Sequence, residues 1–232
     1  MLNSSTFIKK SRATIFLRIF SNIFVVGNLL YFISLYFSNR KHLDVVLRED
    51  FIFEWATFIF LMLCSGVFSL YLLKFKKNKF YYLFFALGMI VFLFGAFEEV
   101  SWFQRVFDFK GTNLIIDNNS QSEFNIHNLV IGGIGLNKLI FGKILGVLIG
   151  LYYLIPAITK EISNTGKSIF EGLYIPTPDI LDLVTLLITI GTVYLVLDFK
   201  KQGEILEYLL SFQLLTLFYR EYLKIAPFSN NG

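Results

Sequence analysis

Apolar residues in this chain gather into long runs. They do not follow the alternation of a half-buried strand or the narrow stripe of an amphipathic surface helix. A bilayer core takes about 20 apolar residues in helical form, and the runs at 19–37, 51–73, 80–97, 137–157, 180–199 and 205–223 come close to that length. The last run is the least apolar, with Gln213 at its middle and charges at both ends. The fourth apolar region starts as early as Leu129 and is too long for one straight span. Gly132, Gly133, Gly135 and Asn137 mark its first part as a separate turn or interfacial piece. The pattern predicts an all-α, polytopic transmembrane helix bundle of about six spans. It forms one integral membrane domain over 1–232, with an irregular or re-entrant segment between the third and fourth spans.

Composition agrees with lipid as the solvent. Of 232 residues, 55% are hydrophobic and 18% aromatic, and only 16% are charged, against about 25% in a soluble domain. The mean hydropathy is +0.63. A soluble enzyme fold, a disordered chain and a disulfide scaffold are excluded. Cys64 is the single cysteine, in an apolar stretch where a buried free thiol is the ordinary outcome, and no zinc-type cysteine spacing exists. The net charge of +4 is small and spread out, which gives no support to nucleic-acid binding.

Lys9, Lys10 and Arg12 precede the first run like a signal-peptide n-region. Arg18 interrupts the apolar core and no small-residue cleavage site follows, so an uncleaved first helix is expected. Positive charge favours the cytoplasmic side. The N-terminal group, Lys74, Lys76, Lys77, Lys79, Lys160, Lys167, Arg220 and Lys224 fall on one side if the spans alternate. The expectation is a multi-pass protein of the cell (inner) membrane with both termini cytoplasmic. Most of the 17 carboxylates then fall on the outer side, among them Glu54, Glu98, Glu99, Glu123, Glu204 and Glu207.

Several of these sit where a membrane disfavours charge. Glu54 lies one turn into the second run, beside Trp55. Glu98 and Glu99 end the third run; two adjacent carboxylates repel, or share a cation. A continuing helix would set Glu98, Trp102 and Arg105 along one face, with Gln104 beside them. Beyond, Asn119, Gln121, Glu123, Asn125 and His127 alternate. In an extended chain they would share one edge, laid over the Glu98–Arg105 region. His127, among carboxylates, is a candidate base or metal ligand, whereas His42 reads as a loop residue. Glu204 and Glu207 open the last run on the same side, where acids also suit a helix N-terminus.

The stretches Arg48-Glu49-Asp50 with Glu54-Trp55, Glu98-Glu99 with Ser101-Trp102 and Gln104-Arg105, and Asn119, Gln121, Glu123, Asn125, His127 and Asn128 together resemble an uncharacterised family of bacterial polytopic membrane proteins. Phe51 and Phe103 stand where that family's pattern has glycine, and Ile126 where it has leucine. The glycine losses imply a narrowed site or an altered backbone. The resemblance covers roughly 48–130 and implies no activity.

The residues leave three classes open. The first is an enzyme acting at the outer interface on a lipid or lipid-linked headgroup. Glu98, Glu99, Glu123 and His127 would be its acid–base groups. Glu98, Glu99 and His127 would hold a divalent cation if one binds, and Arg105 a phosphate, with Gln104, Trp102, Gln121, Asn125 and Glu54 lining the site. The second is a non-catalytic component whose polar network fixes helix packing or binds a partner. The third is a small transporter or sensor. Membrane lipid is the expected partner in the first class. Gly142, Gly146 and Gly150, each four apart, form a small-residue stripe for close helix packing inside the chain or for a homo-oligomer seam.

Overall fold

The computed structural model describes residues 4–47, 52–119, 124–126, 128–136 and 143–226, with the backbone alone for 4–10. In chain order these form α1 (Ser4–Ser38), α2 (Arg40–Val46), α3 (Ile52–Phe75), α4 (Lys79–Glu99), α5 (Gln104–Phe107) and α6 (Asn113–Ile116). A small hairpin of β1 (Val130–Ile131) and β2 (Ile134–Gly135) follows. Then come α7 (Leu145–Ile162), α8 (Asn164–Gly172), α9 (Ile180–Gly191) and α10 (Gln202–Ile225). Four helical segments are long and apolar enough to cross a membrane: Ser11–Ser38, Ile52–Phe75, Lys79–Glu99 and Leu145–Ile162. Their outward faces carry Phe16, Ile23, Leu30, Leu83, Ile90 and Leu148, all exposed. A surface of that kind belongs against lipid, and the four apolar helices point to a membrane protein.

Helix ends fall where side chains can take up orphan backbone groups. Asn78 caps α4, accepting from the amides of Phe80 and Tyr81 at 3.1 and 3.3 Å. Asp179 caps α9 in a reciprocal box with Asp182. The α-helix of the fourth apolar region is described from Leu145 and continues past the run 137–157, through Lys160 to Ile162. Residues 137–142 lie outside the described ones. The glycines ahead of it make the separate turn that their composition predicts: Gly132 and Gly133 have φ of 58° and 80° and link β1 to β2. α9 is followed by a wider helical turn at Thr192–Val196, so the fifth apolar stretch ends at Val196.

α10 is the axis of the bundle. It contacts α1, α3 and α9, and it supplies both apolar cores. Ile205, Leu209 and Phe212 pack with Val25, Leu29, Phe32 and Val193 in one half. Leu214, Leu217 and Phe218 pack with Cys64, Phe68, Tyr153 and Leu186 in the other. Its polar residues face the same neighbours. Gln213 Nε2 donates to Thr189 Oγ1 at 2.8 Å, and the Ser21 and Thr216 hydroxyls are 2.9 Å apart. Near its C-terminal end Arg220, 4% exposed, donates two bonds of 2.8 and 2.6 Å to Asp182 at the start of α9. Arg18 of α1 pairs with Asp179 beside it.

α3 and α4 are the most closely joined pair, and Gly88 permits that approach. A Cβ at Gly88 would overlap the ring of Phe68, which is held by Tyr71, Phe85, Phe92 and Phe218. The stripe on α7 is different. A Cβ at Gly146 or Gly150 meets nothing within 4 Å, so these two do not serve close packing inside the chain; Gly142 lies outside the described residues.

Gly88→Ala is expected to cost about 1–3 kcal/mol in unfolding free energy, whereas Gly146→Ala stays near neutral, as measured by denaturant unfolding in detergent micelles. Arg220→Met leaves the half-buried Asp182 without its cationic partner and should cost about 2–3 kcal/mol. The double change Arg220→Met with Asp182→Leu should recover much of that loss in the same assay.

Candidate functional site

α4 ends at Glu99 without glycine or proline to stop it. The chain leaves through three successive left-handed residues, Ser101, Trp102 and Phe103, with φ of 46°, 55° and 60°. Each costs about 1–2 kcal/mol for an L-residue, and local contacts offset the cost. Trp102 stacks on Phe97 with centroids 5.2 Å apart and donates from Nε1 to Glu98 Oε1 at 2.6 Å. Phe103 packs against Phe58, Phe97 and Trp55. Phe103 is one of the positions where the sequence resemblance leads one to expect glycine; here phenylalanine takes up the glycine-like φ and fills the space with its ring.

The turn breaks the helix, so Glu98, Trp102 and Arg105 do not line one helical face. Glu98 and Trp102 still meet, around the turn. Arg105 lies on the short helix α5 and is exposed.

The same turn holds the later loop. Glu98 Oε2 accepts from the Ile126 amide at 2.7 Å, and Gln104 Oε1 from the Phe124 amide at 2.5 Å. Asn125 Nδ2 donates to Ser101 Oγ at 2.9 Å. Asn125 is itself 3% exposed, and its Oδ1 accepts from Asn119 Nδ2 at 2.9 Å and from the Asn128 amide at 3.1 Å. Asn119 also bridges to Leu129 in antiparallel fashion. A straight strand would separate residues 119 and 125 by about 20 Å. Their side-chain contact therefore corrects the extended reading: these polar residues do not form one straight edge.

Asn125 and Asn128 bound a polar cavity of about 40 Å³, whose other walls are Glu54 of α3, Glu98 and Glu99 of α4, and Glu204 and Glu207 of α10. Five carboxylates from three helices meet there. The start of α3, the end of α4 and the start of α10 therefore lie at one end of the bundle. Glu98 is buried; Glu54, Glu99, Glu204 and Glu207 are half-buried. Like charges this close repel, and among the described lining residues the other polar groups are the amides of Asn125 and Asn128.

Of the residues singled out in the sequence, Glu54, Glu98, Glu99 and Asn125 line the cavity. Trp102 and Gln104 instead tie down the turn and the loop, and Arg105 does not line it. Gln121, Glu123 and His127 lie outside the described residues. Glu204 and Glu207, which also suit a helix start, prove to be cavity walls. Among the described residues no group of three or more His, Cys, Asp or Glu is set to grip a metal ion directly. The cluster of Arg18, Asp179, Asp182 and Arg220 at the opposite end was not singled out. Its signal was charge inside the first turn of one apolar run and the last turns of another.

Glu98→Ala removes the acceptor of the Ile126 amide and that of the Trp102 indole, and faster hydrogen exchange at the Ile126 amide is the expected outcome. Trp102→Phe removes one bond and keeps the stack, so exchange at Ile126 should change less. The chain matches no family model, no curated protein and no solved structure.

Proposed function

We propose that this chain is a six-span integral membrane protein whose carboxylate cavity, at the outer face, binds a small cation. The convergence of five carboxylates and two asparagines on one 40 Å³ polar space is the observation that carries the reading. That volume takes a cation with one or two waters. Walls of carboxylate and amide oxygens suit a hard, hydrated ion or a protonated amine. An ammonium group, that of a lipid headgroup included, is recognised by the same charge. Phosphate is not: the walls are anionic, and Arg105 is exposed outside them. Membrane lipid remains the natural neighbour of the site, with Trp55 and Trp102 at its border.

Glu54, Glu98, Glu99, Asn125 and Asn128, from the three stretches that resemble the bacterial membrane-protein family, line this cavity, which supports reading those stretches as one unit. Ile180–Val196 and the buried α10 are the fifth and sixth spans in this proposal. Both termini then share a side, and the basic residues make it the cytoplasmic one. The open face at Gly146 and Gly150 is available to a second copy of the chain.

Full-length protein in lipid nanodiscs, titrated at constant ionic strength with NaCl, MgCl₂, CaCl₂ or ethanolamine hydrochloride, tests the reading. A saturable rise in the unfolding midpoint with at least one of them is expected. The variant Glu99→Gln with Glu207→Gln should need at least about ten times more of that cation. The ethanolamine arm separates a headgroup amine from a metal ion. No saturable rise with any of the four, or an equal response in the variant, contradicts it.

A further inference from the structure

We propose that a single water molecule binds between α1, α9 and α10, at the end of the bundle opposite the carboxylates. Two buried polar atoms there have no hydrogen-bond partner among the described residues: Nε of Arg18, a donor, and Oε1 of Gln213, an acceptor. Gln213 is only 5% exposed. Its amide nitrogen is already spent on Thr189, and the Arg18 head is turned by its pairing with Asp179. Both residues line one cavity of about 10 Å³, together with Ser21, Tyr153 and Thr216. That is the room one water needs, and a buried water makes about three hydrogen bonds. It would accept from Arg18 Nε, donate to Gln213 Oε1 and meet the Ser21–Thr216 hydroxyl pair.

Charge around the cavity identifies the occupant as neutral. Arg18 and Arg220 are paired with Asp179, Asp182 and Glu221, and Glu221 in turn with Lys224, so three cations face three anions and neither an anion nor a cation gains from entering. An apolar occupant leaves the orphan donor and acceptor unsatisfied, at a cost comparable to a lost hydrogen bond each. The water completes a polar seam that runs from the Asp182–Arg220 pair to Thr189, and through it α1 is hydrogen-bonded to the middle of α10.

The first test is a density map of the full-length protein in nanodiscs that shows ordered solvent. A peak within hydrogen-bond distance of both Arg18 Nε and Gln213 Oε1 is expected. A dry cavity, or the two atoms paired directly, overturns the proposal. A second test compares Gln213→Leu with Thr189→Val by thermal unfolding. Both lose the bond between the two side chains, but only Gln213→Leu also loses the water. Its midpoint should fall about 2–4 °C further. A fall no greater than that of Thr189→Val means the acceptor was truly orphaned, and the proposal fails.

Discussion

Apolar surroundings offer no hydrogen-bond partner, so a polar group buried within the bundle must find one inside the protein. α10 bears that constraint most heavily. It carries Glu204, Glu207, Ser211, Gln213, Thr216 and Arg220 through the centre of the molecule, and each neighbour supplies a matching group. Thr189 of α9 meets Gln213, Ser21 of α1 meets Thr216, and Asp182 of α9 meets Arg220. These pairs set the rotation of α10 about its own axis. That rotation in turn directs Glu204 and Glu207 toward α3 and α4.

The carboxylate cavity is thus the far end of a helix registered by polar contacts elsewhere. Its roof has a separate origin. The left-handed turn after α4 would be costly alone, and it persists because Trp102 and Phe103 bury their rings while Glu98 and Gln104 accept from the loop. Glu98 therefore belongs to two structures at once. It is a wall of the cavity, and it is the anchor of the loop that covers it. A change that neutralises Glu98 disturbs both, whereas Glu99 and Glu207 are walls without that second duty in the contacts described.

Apolar length made α3 and α4 legible in the sequence almost to their ends, and α1 at its C-terminal end alone, because its helix begins at Ser4 among polar and basic residues that apolar length does not count. α10 was legible in its extent, 205–223 against Gln202–Ile225, but not in its central place. Averaged hydropathy counts Gln213 and Arg220 as penalties, although Thr189 and Asp182 supply hydrogen-bond partners to them. The pairs themselves were invisible: Arg220 and Asp182 are 38 residues apart, and Arg18 and Asp179 are 161 apart. The break after Glu99 had no glycine to announce it, so a continuing helix was the natural reading. Polar alternation from Asn119 onward suggested a strand, but Asn125 is polar because it ties its own loop together. The convergence of Glu54 and Glu98 with Glu204 and Glu207 was legible only as a shared side of the membrane.

That convergence is the claim on which the account stands, and proximity between α3 and α10 tests it most directly. In a Cys64→Ala background, Glu54→Cys with Glu207→Cys should be joined by a short bifunctional thiol reagent in native membranes. A pair with Ile59→Cys replacing Glu54→Cys serves as control, since Ile59 points outward. Rapid joining of the first pair and none of the control is the predicted result. Equal joining of both, or of neither while each single cysteine still reacts, would contradict a common cavity.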